Sequence, residues 1–188
     1  MIILASKSPR RRELMKKITN SFLTYNADID ESLSYSLPTP LEAVIDIAKR
    51  KALKAKEEFP NDLVIAADTI VVLDKEIIHK PIDEEDAKRI LRKLSDKTHL
   101  VITAYAINEK DELIEDYVIS KVTFNKLSDE LIEKYVLSKS PLDKAGAYGI
   151  QDNEKYPIIK SYEGSYDNIV GFPIEEIKNT LVLSKKLG

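Results

Sequence analysis

Hydrophobic and polar residues alternate along this chain with two periods, one helical and one strand-like. Ala87, Ile90, Leu91 and Leu94 recur at i, i+3, i+4 and i+7, which predicts an amphipathic helix over 84–94. Thr39-Pro40-Leu41-Glu42 is a capping box with proline at the first helical position, and it opens a helix over 40–58. Ser128 caps a helix carrying Leu131, Ile132, Tyr135 and Val136 on one face, and Pro173 opens the last helix. Short apolar runs predict strands at 2–5, near 22–27, near 157–161 and at 166–170. Leu63–Ala67 reads as a buried strand that Asp68-Thr69 interrupts and Ile70–Leu73 continues. Asp74-Lys75-Glu76 turns it into Ile77-Ile78, while Leu100–Ile107 and Tyr117–Phe124 read as long paired strands. A glycine-containing loop spans Asp143–Gln151. Alternating strands and helices followed by clustered strands predict an α/β fold with a mixed sheet.

Composition narrows the class. The 188 residues, 43% hydrophobic and 32% charged, fit one folded domain, or two small lobes sharing a core. A net charge of −3 argues against a nucleic-acid footprint, so positive charge must be concentrated locally to matter. Cysteine is absent, which excludes disulfides, thiolate metal sites and thiol catalysis. No stretch reaches membrane-spanning length and the opening apolar run is too short for a signal peptide, so a cytoplasmic protein is expected.

One helix breaks the charge order of the others. Asp83–Asp86 places acids in the first turn of the 84–94 helix, with Lys88, Arg89, Arg92 and Lys93 after them. The helix predicted over 9–18 is capped by Ser8 and started by Pro9, but its first turn holds Arg10, Arg11 and Arg12. Cations at that end oppose the helix dipole at a cost of a few tenths to about 1 kcal/mol each. A phosphate at this strand-to-helix corner would reverse the conflict; a solvated basic turn is the alternative.

Other polar residues stand out against apolar surroundings. Asp68 lies inside the 63–73 run, where an unpaired carboxylate is costly, so it needs a cation, a donor or a raised pKa. It reads as a metal ligand or general base, or else as an exposed bulge. Lys51 falls on the apolar stripe of Val44, Ala48 and Ala55; it snorkels to water or points into a cleft. Pro81 biases Lys80 toward an extended conformation, so that its side chain projects from a strand end or is simply that of an exposed loop lysine. Asp28, Asp30 and Glu31 form an acidic cluster that suits Mg²⁺ or a solvated loop. Gly146 and Gly149 permit close backbone approach, and Gln151 offers an amide for reading a base edge. The glycine spacing is not a P-loop, and His79 and His99 lack zinc-site spacing.

Four segments together resemble the Maf family of nucleotide pyrophosphatases, over nearly the whole chain. They are Leu4-Ala5-Ser6-Lys7-Ser8-Pro9-Arg10-Arg11, Ala67-Asp68-Thr69, Lys80-Pro81 and Leu142–Gln151. The resemblance implies an elongated mixed β-sheet flanked by helices, similar to inosine triphosphatase-like enzymes, with two lobes around a central cleft in a single domain over 1–188. It also implies a homodimer that hydrolyses a nucleoside triphosphate to monophosphate and pyrophosphate with a divalent cation, Mg²⁺ or Mn²⁺. By position, Asp68 matches the proton acceptor, Ser6, Arg10, Arg11, Lys51 and Lys80 the phosphate-binding residues, and Glu31 and Asp68 the metal site. Arg10, Thr69 and Gln151 match base-selecting positions, and the late loop looks like the dTTP/UTP branch. Ala66, His79 and Asp152 stand where the family often has glycine. A nucleotide-sensing regulator of cell division without turnover and a nucleotidyltransferase are the rival readings.

Overall fold

A computed structural model describes residues 1–183. Its element order is β1 (Ile2–Leu4), α1 (Pro9–Met15), β2 (Leu23–Thr24), α2 (Ser32–Tyr35), α3 (Pro40–Glu58), β3 (Leu63–Leu73) and β4 (Glu76–Ile78). There follow α4 (Glu84–Leu94), β5 (Thr98–Glu109), β6 (Glu112–Phe124) and α5 (Asp129–Leu137). Three single 3₁₀ turns, Ser140–Asp143, Ala145–Ala147 and Ile150–Asp152, lead to β7 (Ile159–Glu163), α6 (Tyr166–Val170) and α7 (Ile174–Leu183). The seven strands form a mixed sheet in the order β2-β1-β3-β5-β6-β7, with β4 added to β3. This is the α/β architecture expected. Strand β1 is parallel to both β2 and β3, whereas β3–β4 and β6–β7 are antiparallel.

The chain divides into two compact units. The first comprises Met1–Asp68, Thr103–Val118 and the segment from Gly171. Its core is the β1 and β3 apolar run packed with Val44, Ile47, Ala48, Ala52 and Ala55 of α3, all at most 1% exposed. Thr39 Oγ1 accepts from Glu42 N–H, so the capping box does start α3. The second unit comprises Thr69–Ile102 and Ile119–Val170. Here α4 buries Ala87, Ile90, Leu91 and Leu94 against Val101, Phe124, Ile132, Tyr135 and Val136. Each of the larger aliphatic side chains contributes about 1.5–3 kcal/mol through that burial.

Three expectations change. Strand β3 runs unbroken through Asp68-Thr69, because a side-chain charge does not stop a backbone ladder when a cation meets it. Helix α1 ends at Met15 rather than near 18. Residues 166–170 are helical: Ser165 Oγ accepts from Asn168 N–H at 3.1 Å, and this local bond outweighs the strand propensity of Ile169-Val170.

Candidate active site

The corner after β1 is built by serines. Ser6, 9% exposed, accepts from Ser8 N–H at 3.1 Å, and Ser8 Oγ caps α1 by accepting from Arg11 N–H at 3.3 Å. These bonds fix the turn from which Arg10 and Arg11 project. Arg11 Nε donates to Gly171 O at 2.8 Å, which anchors the guanidinium across 160 positions of sequence. Burial lowers the Arg11 pKa; the Asp68 charge opposes that, while Arg10 adds to it.

Asp68 is 8% exposed. Its Oδ1 lies 3.1 Å from Lys51 Nζ, and the same ammonium lies 3.3 Å from Glu31 Oε1. Lys51 therefore does not snorkel; its helix stripe carries it inward to two carboxylates. Asp68 Oδ2 is buried with no hydrogen-bond partner. Burial raises the Asp68 pKa above 3.8, Lys51 and Arg11 oppose the rise, and Glu31 adds to it. Such an orphaned, electron-rich oxygen is the kind that a metal or a water proton satisfies.

The acidic cluster separates. Asp30 turns back on its own chain, its Oδ1 accepting from Ser32 N–H at 3.0 Å and Ser32 Oγ–H at 2.6 Å, and Asp28 is exposed. Glu31 alone of the three meets Lys51. Among the described residues no group of three or more His, Cys, Asp or Glu is placed to hold a metal ion. Two carboxylates still fit Mg²⁺ or Mn²⁺, which take one or two protein ligands and draw the rest from phosphate and water.

Several contributors escaped the sequence. Tyr35 O–H donates to Glu31 Oε2 at 3.4 Å, and burial together with Asp68 and Glu31 raises its pKa, keeping it protonated. Its offset of four from Glu31, one helical turn, was the available signal. Arg50 donates to Asp30 O and to Ser34 Oγ, both at 2.8 Å, and Ser34 Oγ donates to Asp46 Oδ2 at 2.7 Å. That network straps the Asp30–Tyr35 segment onto α3. The Arg11–Gly171 bond had no sequence signal.

The second unit holds the other expected residues. Thr69 is half-buried on β3, on the face opposite Asp68 by strand alternation. Lys80 is exposed just beyond β4, and its neighbour His79 accepts through its carbonyl from Gly146 N–H at 3.3 Å. This bond joins the Lys80-Pro81 segment to the late loop. Gln151 is exposed in the last 3₁₀ turn. Gly146 has φ +70°, and a Cβ there would stand 3.0 Å from Val71 Cγ2. A Cβ at Gly149 would stand 3.0 Å from the Gln151 amide. Gly146 thus answers to its backbone conformation and to Val71, Gly149 to neighbouring side-chain ends alone.

Comparison with known proteins places the whole chain in one family. The family model described as Maf-like protein matches residues 1–183. A curated relative from Pyrococcus abyssi, named dTTP/UTP pyrophosphatase, is 42% identical over 186 residues, covering 99% of this chain and 97% of its own length. A Pyrococcus furiosus protein of that name is 44% identical over 186 residues, with 99% and 96% covered. One from Thermosipho africanus is 44% identical over 180 residues, with 96% and 91% covered. With a family model matching residues 1–183 and relatives matching along nearly its full length, this chain belongs to the Maf family.

Proposed function

We propose that this chain hydrolyses dTTP and UTP between the α- and β-phosphates, releasing the nucleoside monophosphate and pyrophosphate. The observation that carries the reading is the buried, unpartnered Asp68 Oδ2 beside the Lys51 ammonium. The names of the relatives favour a catalyst over a sensor and supply the substrate pair.

Arg10, Arg11 and Lys51 neutralise phosphate charge, with Ser6 holding the corner that presents the two arginines; Lys80 is a further phosphate ligand. Glu31 and Asp68 would hold a divalent cation, Mg²⁺ or Mn²⁺. When bound, that cation offsets phosphate charge and makes water easier to deprotonate. Asp68 orients the attacking water and accepts its proton. Desolvation of its carboxyl makes it a stronger base than an exposed aspartate. The new bond forms from water oxygen to α-phosphorus, and the bond to the bridging oxygen breaks as pyrophosphate leaves. Positioning and charge stabilisation carry most of the acceleration. Gln151, Thr69 and Arg10 select the base. A homodimer belongs to the same reading, and light scattering tests it.

The test is a panel of ordinary and modified triphosphates with Mg²⁺ or Mn²⁺, measuring mono- and diphosphate products separately. Equal yields of monophosphate and pyrophosphate, greatest with dTTP and UTP, are expected. Diphosphate with orthophosphate would overturn the bond assignment, and tight binding without turnover would favour the sensor.

A further inference from the structure

The late loop is pinned on both sides of Gln151 by one buried hydroxyl. Tyr135, on α5, is 0% exposed. Its O–H donates to Asp152 Oδ2 at 2.7 Å and accepts from Gly149 N–H at 2.9 Å. Residues 149 and 152 bracket Gln151. The Gln151 amide also lies close over Gly149, within 3.0 Å of where a Cβ would be. The backbone that supports the amide is therefore the backbone that Tyr135 holds.

Further bonds stiffen the clamp. Ser140 Oγ donates to the same Asp152 oxygen at 2.7 Å. Lys144 Nζ donates to Ser140 O at 2.6 Å and to Ser140 Oγ at 3.1 Å. Tyr156 N–H donates to Asp152 O at 2.9 Å, and its ring stacks on Tyr135 with centroids 5.0 Å apart. Asp152 is thus the acceptor on which three segments converge. Bonds to a carboxylate are stronger than neutral ones, and a side chain fixed by such contacts loses little further entropy when it meets a ligand.

We infer that Tyr135 and Asp152 are positioning residues for base selection, holding Gln151 in the conformation that discriminates pyrimidine edges. The inference rests on Gln151 being the base reader. A loosened loop would let the amide follow the wrong base, so discrimination falls more than turnover.

The experiment measures kcat and KM separately for dTTP and dCTP in the wild type, Gln151→Ala, Tyr135→Phe, Asp152→Gly, Asp152→Asn and the Tyr135→Phe/Gln151→Ala double variant. Tyr135→Phe and Asp152→Gly each remove two hydrogen bonds of the clamp and should each lower the dTTP:dCTP ratio of kcat/KM by about tenfold or more. Asp152→Asn should stay close to wild type, because its amide oxygen still accepts. The double variant should match Gln151→Ala alone, since the pin acts through that side chain. A wild-type ratio in Tyr135→Phe and Asp152→Gly, with a reduced one in Gln151→Ala, overturns the positioning role alone. A further drop in the double variant overturns it too, by showing a route that bypasses Gln151. An unchanged ratio in Gln151→Ala overturns the base-reading assignment itself. Should Tyr135→Phe fold poorly, the Asp152 pair decides.

Discussion

Lys51 Nζ lies 3.1 Å from Asp68 Oδ1 while Asp68 Oδ2 has no hydrogen-bond partner, so this buried carboxylate is satisfied on one side only. The asymmetry follows from two local rules. Helix periodicity brings Lys51 inward with Val44, Ala48 and Ala55, and strand continuity keeps Asp68 within the sheet. The pair is costly as a structural element, since a buried charge needs more than one partner to offset desolvation. Its retention makes sense if a ligand completes it.

Asp68→Asn is nearly isosteric and removes the proposed proton acceptor. Turnover should fall by about 10²–10⁴-fold, the range for losing a general base. The melting temperature should hold or rise, because an incompletely paired buried charge disappears while Lys51 keeps Glu31. Steady-state kinetics and a circular-dichroism melt on one preparation measure both. Near-normal turnover would remove Asp68 from the chemistry.

Arg50→Ala tests the strap behind Glu31. Arg50 touches Asp30 O and Ser34 Oγ but neither Glu31 nor Asp68 in any hydrogen bond or ion pair observed. Losing it should loosen the segment carrying Glu31 and raise the Mg²⁺ concentration for half-maximal activity several-fold. At saturating Mg²⁺ much of kcat should return. A metal titration showing the wild-type midpoint would detach this network from the site.

What could be read before the fold was known depended on how local the cause was. Helix α4 was legible because its stripe and its charge order agree, and Asp83 caps it by accepting from Asp86 N–H. The inward course of Lys51 was only half legible: the stripe placed it, but its partners lie 17 and 20 positions away. Segment 166–170 misled because Ile169-Val170 favours strand while the Ser165 cap favours helix. The acidic cluster does not act as one group, since Asp30 is used by Ser32 and only Glu31 turns toward Lys51. The Arg11 anchor could not be foreseen, because a backbone carbonyl carries no residue signature.

His99 supplies a pH prediction. It is 1% exposed, shares a 2.6 Å hydrogen bond between Nε2 and Tyr148 O–H, and packs edge-on to Phe124. Its Nδ1 is buried without a hydrogen-bond partner. Burial pushes its pKa from 6.5 down to about 4. The unfolded chain therefore binds the proton more readily than the folded one. The contribution is full above pH 6.5 and shrinks as pH falls toward about 4, by about 3 kcal/mol in all. Urea unfolding at stepped pH should show this decline in the wild type. His99→Phe should flatten it, although losing the Tyr148 bond lowers stability at every pH. An unaltered slope in that variant would assign the dependence elsewhere.

Gly146 and Gly149 share a loop, yet alanine at each should produce a different defect. Gly146 has φ +70°, and a new Cβ would stand 3.0 and 3.2 Å from the two methyls of Val71 on β3. Backbone strain alone costs about 1–2 kcal/mol, and Val71 has little room to yield, being 2% exposed. Gly146→Ala should therefore lower the melting temperature by several degrees, about 2–4 °C per kcal/mol for a chain of this size. Gly149 has φ −128°, which any residue adopts, and its Cβ would meet only the ends of Lys144 and Gln151 side chains. The exposed Gln151 end can swing aside, and the Lys144 carbon can shift along its flexible stem while Nζ stays on Ser140. Gly149→Ala should thus melt close to wild type while displacing the Gln151 amide and reducing the dTTP:dCTP preference. Melting curves and kcat/KM ratios on both variants separate the effects. Reversed outcomes, with Gly149→Ala unstable and Gly146→Ala altered only in preference, would mean that strain and base reading have been assigned to the wrong glycines.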